Sequence, residues 1–188
     1  MQEEDVDLYV SMADEAMDHS ITHLENELLK VRTGKAAPNM LSGIMVPYYG
    51  SSTPLNQVAN VTKADARTLT IQPWEKTMLA PIEKAIFEAN LGVTPQNDGE
   101  IVRITIPPLT EDRRRDLVKR AKALGEDAKV SVRNARRDAM DGIKKAVKDG
   151  YPEDAGKRRE DEVQQKTDNH IKRIDQMLDA KEEDIMTI

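Results

Sequence analysis

A chain of 188 residues leaves one or two domains open, and the absence of cysteine excludes disulfide frameworks, thiolate nucleophiles and cysteine-based zinc sites. Charged residues make up 33% and aromatics 3%, a balance typical of long solvated helices sealed by Leu, Ile, Val, Met and Ala, which excludes a large aromatic core. The net charge of −6 argues against nucleic acid only as an average: Arg113 to Lys145 holds 12 basic and 5 acidic residues, a local +7, leaving 16 basic and 29 acidic, or −13, elsewhere.

The opening Met-Gln-Glu-Glu-Asp is acidic where signal and transit peptides are basic, and no apolar run approaches the roughly 20 residues of a membrane span. The expectation is a soluble cytosolic protein without membrane contact. From about Asp5 to Val31, Val10, Ala13, Met17, Ile21, Leu24, Leu28 and Val31 recur at intervals of three and four, which predicts a helix with one apolar face. Such a stripe needs partners from further along the chain.

Between Gly34 and Pro107 the pattern changes. Short β-branched or alternating runs, Ile44 to Val46, Val58 to Val61, Thr68 to Ile71 and Ile101 to Thr105, predict strands separated by Pro, Gly and Asn. Met78, Ile82, Ala85, Ile86 and Ala89 mark one amphipathic helix ending near Asn90. After Pro107-Pro108, Thr110 is placed as an N-cap, and helical periodicity runs to about Lys148, a rod of roughly 57 Å at 1.5 Å per residue. Its seam is Leu117, Ala121, Leu124, Ala128, Val132, Ala135, Ala139, Ile143 and Ala146, and Gly125 and Gly142 inside it cost up to about 1 kcal/mol each relative to Ala. Asp149-Gly150-Tyr151-Pro152 stops this helix, and Val163, Thr167, Ile171, Ile174, Leu178 and Ile185 build a last one.

Three long striped helices require mutual burial. The predicted fold is α+β: an elongated three-helix bundle of residues 1–32 and 108–188, with a small α/β domain of a β-sheet and one helix, residues 33–107, inserted through two adjacent strands. Those strands, around Thr33 and Gly34 on one side and Thr105, Ile106, Pro107 and Pro108 on the other, are the expected hinge. Gly34 supplies freedom on one strand, and the prolines stiffen the other.

On a helical wheel of the 38-residue rod, Lys119, Lys122, Lys129, Arg133, Arg136, Arg137 and Lys144 fall within roughly 60° of Arg115, while the apolar seam lies near 220°. The only acid on this outward ridge is Glu126. Arginine dominates its densest stretch, Arg133-Asn134-Ala135-Arg136-Arg137, and a guanidinium takes phosphate oxygens two at a time. With aromatic platforms nearly absent, folded RNA read by backbone and shape is expected rather than base stacking. DNA is not expected, since helix-turn-helix and zinc-finger spacings are absent. A protein-interaction rod or chaperone adaptor meeting an acidic partner is the rival reading; a steep loss of affinity with salt, in binding that survives with ribosomal RNA alone, discriminates for RNA, whereas a protein partner makes RNA dispensable.

Enzyme signals fail in turn. Arg32-Thr33-Gly34-Lys35-Ala36 lacks a phosphate loop's first glycine, because Leu29 stands there, and Ala36 replaces the magnesium-binding hydroxyl. His19 and His23 share a face without a third ligand, and Glu3-Glu4 and Glu182-Glu183 read as solubilising charge. No catalytic residue, metal or cofactor is expected.

In combination, Val31-Arg32-Thr33-Gly34-Lys35-Ala36-Ala37-Pro38, Tyr48-Tyr49-Gly50 with Thr53-Pro54-Leu55, Glu83-Lys84-Ala85-Ile86 with Leu91-Gly92, Pro107-Pro108-Leu109-Thr110-Glu111 with Arg113-Arg114, and Val132-Arg133-Asn134-Ala135-Arg136-Arg137-Asp138 closely resemble ribosome recycling factors along essentially the whole chain. The resemblance implies an L-shaped, transfer-RNA-like arrangement of the two domains and a monomer. It further implies that the chain binds the large ribosomal subunit after termination and, with elongation factor G and GTP, splits the complex to free messenger and transfer RNA. It assigns Arg133 to large-subunit ribosomal RNA. The expected RNA contacts are Arg133, Lys129, Arg136, Arg137, Lys122, Arg113 and Arg32. The implied location is the cytoplasm of a bacterium, or an organellar matrix once a transit peptide is removed. Lys35 stands where the family pattern often has arginine, which would forgo a bidentate contact there.

Overall fold

The computed structural model describes residues 3–187. In chain order they form helix α1 (Glu3–Leu29), strands β1 (Met45–Tyr48), β2 (Ser51–Pro54), β3 (Ala59–Asp65) and β4 (Thr68–Pro73), helix α2 (Leu79–Glu88), strands β5 (Pro95–Asn97) and β6 (Val102–Thr105), and helices α3 (Glu111–Lys148) and α4 (Glu153–Met186). The chain divides into two compact units, Met1–Arg32 with Glu111–Ile188, and Thr33–Thr110.

In the first unit α3 packs along both α1 and α4. The stripe on α1, extended by Val6, is buried throughout, and Met17, Ile21 and Leu24 are fully enclosed, as are Ile143, Ile174 and Ile185 on the other two helices. Each such side chain contributes about 1.5–3 kcal/mol relative to exposure. The seam of α3 is mostly alanine, which lets the helices approach closely. Its two glycines belong to that approach. A Cβ on Gly125 would lie 2.3 Å from Leu178 Cδ1, and one on Gly142 would lie 2.8 Å from the Tyr9 ring. The helix-propensity cost predicted for them is therefore offset by contacts that only a missing side chain permits. Leu124, Ile171 and Leu178, placed in the seams by periodicity, are half-buried.

The two polar residues buried in this unit, Thr167 and Arg114, are both hydrogen-bonded. Thr167 donates its hydroxyl to the Val163 carbonyl at 2.8 Å. Arg114 is buried and donates to the carbonyls of Ile185 and Thr187, where the negative end of α4's dipole favours a cation. Between α3 and α4, Gly150 takes φ +109° and the Tyr151 amide donates back to the Ala146 carbonyl at 2.9 Å, closing α3. The buried Tyr151 then donates its hydroxyl to Glu3 at 2.6 Å, so Glu3 is a tether as well as surface charge.

The second unit holds a two-stranded sheet, β1-β2, and a four-stranded sheet in the order β3-β4-β6-β5, antiparallel at every pairing. Helix α2 supplies Ile82 and Ile86 to a core shared with Leu69, Ile71, Val102 and Ile104. β1 and β2 meet through Tyr49-Gly50, both at positive φ (49° and 81°), the signature of a two-residue type I′ hairpin. β2 and β5 go beyond the predicted strands. Ser51-Ser52-Thr53-Pro54 has no apolar alternation, and Pro95-Gln96-Asn97 is only three residues long, so neither carries a periodic signal. Ile44 and Val58 sit just outside the strands predicted to contain them, and Ala89 is exposed at the end of α2.

Candidate nucleic-acid interface

The 38 residues of α3 turn one face inward, and the charges follow from that. Lys119, Lys122, Arg133, Asn134, Arg137 and Lys144 are exposed, while Val118, Gly125 and Val132 are buried behind them. The side chains of Lys119, Arg133, Arg137 and Lys144 make no hydrogen bond or ion pair among the described residues. Arg115 is held to Glu111, one turn back, at 2.7 Å.

Along the border with α4 the ridge is engaged. Lys122 Nζ lies 3.8 Å from Glu182, Lys129 Nζ lies 2.6 Å from Asp175 and 3.7 Å from Glu126, and Arg136 donates to Gln164 at 3.1 Å. The hydrogen bond to Asp175 holds the Lys129 ammonium above the ordinary lysine range, against desolvation and against the nearby Arg133. Arg32 and Arg113 are both exposed and each has an interaction partner. Periodicity alone finds the ridge, but Asp175, Glu182 and Gln164 come from a different helix, and nothing in the local pattern of α3 points to them.

Of the expected hinge residues, Gly34 is buried at φ +75°, and a Cβ there would lie 3.1 Å from Leu109 Cγ. Thr105 closes β6, while Ile106 is buried and donates its amide to the Arg67 carbonyl at 2.8 Å. Thr33 is half-buried, and Pro107 and Pro108 are exposed.

His19 and His23 are exposed. The metal-ligating groups that gather are others, Asp14, Asp18 and His170. His170 Nε2 lies 2.7 Å from Asp18, and the Lys166 ammonium 3.5 Å from Asp14 already supplies a cation to that cluster.

This pairing of a helical unit bearing an exposed basic face with an antiparallel sheet unit has close counterparts among known proteins. Residues 24–186 match the family model described as ribosome recycling factor. The chain belongs to the ribosome recycling factor family. A ribosome-recycling factor from Flavobacterium johnsoniae is 52% identical over 185 residues, covering 98% of this chain and 99% of the relative. One from Porphyromonas gingivalis is 52% identical over 180 residues, covering 95% and 97%. Among solved structures, a solution structure of a ribosome recycling factor superposes with a TM-score of 0.84 at 35% identity over 100% of both chains. Another match, the Thermus thermophilus factor placed with Escherichia coli elongation factor G on the post-termination complex, has a TM-score of 0.65 and 42% identity over 96% and 98% of the two chains. Family membership makes the chain a non-enzymatic factor whose function is ribosome recycling, with the α+β fold of that family. No helix among the described residues is long and apolar enough to cross a membrane.

Proposed function

We propose that the chain anchors to ribosomal RNA of the large subunit through the outward face of α3 centred on Arg133, and that elongation factor G with GTP then drives the subunits apart, freeing messenger and transfer RNA. It acts as a monomer in the bacterial cytoplasm. The observation that carries this reading is the state of Arg133: it is exposed, at the middle of the basic ridge, and outside any ion pair among the described residues, so its fork is available to phosphate. Arg137 flanks it in the same state, and Lys122, Lys129 and Arg136 reach RNA only by leaving partners on α4. Arg113 and Arg32 extend the contact beyond the ridge.

The hinge in this proposal is narrower than the one expected from sequence. Thr105 and Ile106 are fixed to the sheet, which leaves Arg32-Thr33-Gly34 and Pro107-Pro108 to take up rotation. Sedimentation of wild type and Arg133→Glu with purified large subunits across a salt series tests the anchoring. Wild type should lose affinity steeply with salt, and the variant should bind about tenfold or more weakly. Equal affinities would remove the ridge from the mechanism.

A further inference from the structure

The basic ridge is not uniformly available, and the unavailable part has a specific cause. Lys129 has a side chain only 15% exposed, with its ammonium 2.6 Å from Asp175 Oδ1, the length of a charge-assisted hydrogen bond. Glu126 adds a second carboxylate at 3.7 Å. Arg133 lies one turn further along α3 and its side chain is unpaired among the described residues, so a phosphate drawn to Arg133 arrives beside a lysine that already holds an anionic oxygen. Asp175 itself is 53% exposed, and returning it to water costs little.

We propose that Asp175 is an internal stand-in for RNA phosphate: it occupies Lys129 in the free protein, and Lys129 exchanges it for a phosphate oxygen when the ridge docks. This rests on the reading of α3 as the RNA-binding face. The exchange trades one ion pair for another, so Lys129 adds orientation but little net affinity. The counterion released from the phosphate is balanced by one taken up on the freed carboxylate, so Lys129 also adds little to the salt dependence. A factor that must leave the ribosome after each round gains a faster release from such an attenuator.

The test is binding of the full chain to purified bacterial large ribosomal subunits between about 50 and 200 mM salt, the range over which phosphate contacts are most visible. Asp175→Asn should tighten binding about threefold or more at the low end and steepen the log-log salt slope by about one. Asp175→Glu should bind like wild type, and Lys129→Gln should abolish the gain made by Asp175→Asn. A gain that survives in the Lys129→Gln background overturns the exchange. So does an Asp175→Asn affinity and slope equal to wild type while Arg133→Glu still weakens binding, which leaves the ridge intact. If Arg133→Glu binds like wild type, the ridge reading itself fails, and the exchange with it. Should Asp175→Asn lose helicity, Lys129→Gln alone should bind within about threefold of wild type with an unchanged salt slope, and a loss as large as that of Arg133→Glu overturns the proposal.

Discussion

Lys129 and Arg133 stand one turn apart on α3 and meet opposite surroundings, the first enclosed by carboxylates and the second open to solvent. An outward arginine contributes little packing, so Arg133→Glu should leave helicity and thermal stability close to wild type, and Arg137→Ala should weaken large-subunit binding less and flatten its salt slope. Circular dichroism melts alongside the binding series check both. A destabilised Arg133→Glu protein would show that the residue has a structural role. In the second unit, Tyr48 and Tyr49 both donate to the carboxylate of Glu75 at 2.9 Å, with ring centroids 4.5 Å apart. Those hydrogen bonds favour the protonated phenols and push both tyrosines above their ordinary value near 10. Because the folded values are raised, this stabilisation is complete below the unfolded value and is lost as pH climbs through the folded ones. Glu75→Gln should bring both phenols back toward the ordinary range in an absorbance titration, and an unchanged titration curve would contradict the shared-carboxylate geometry. The ridge was legible in the sequence because a helix fixes the angle of every side chain from its number alone. The identity of the residues that occupy Lys129, Lys122 and Arg136 was not, since Asp175, Glu182 and Gln164 lie on α4 and meet α3 only through tertiary packing.

Among the elements, the three long helices were readable because their apolar stripes persist over many turns, whereas β2 and β5 take their conformation from the strands beside them. Ser51 to Pro54 pairs with β1 across the Tyr49-Gly50 turn, and Pro95 to Asn97 pairs with β6, so pairing supplies what local pattern lacks. The glycines of α3 show the same limit. Propensity alone says that Gly125→Ala stabilises the helix by about 1 kcal/mol. The structure reverses the sign. A new methyl would fall 2.3 Å from Leu178 Cδ1 and 2.9 Å from its Cγ, and overpacking of that kind typically costs about 1–3 kcal/mol. Urea denaturation should find Gly125→Ala less stable than wild type, and Gly125→Ala with Leu178→Ala should show a coupling that recovers part of the loss. A more stable Gly125→Ala single variant would mean that Leu178 moves aside freely.

For the whole molecule, the charge partition and the two connections between units belong to one proposed mechanism, in which the first unit stays anchored while the second is pushed. Gly34 sits at φ +75°, a conformation closed to proline and strained for other L residues, so alanine is the informative substitution. Its methyl would also press on Leu109 at 3.1 Å. Gly34→Ala should keep large-subunit binding within about threefold, under roughly 0.7 kcal/mol, yet slow subunit separation. Parallel binding and splitting measurements decide this, and a folded variant that splits at the wild-type rate would rule out rotation at Gly34. The most direct measurement of the central claim is light scattering of post-termination complexes mixed with this protein, elongation factor G and GTP. Wild type should separate the subunits, and Arg133→Glu, at a concentration that saturates the wild-type reaction, should separate them far more slowly. Intact complexes in the presence of well-folded wild-type protein, or full-rate splitting by Arg133→Glu, would contradict recycling through an Arg133 anchor.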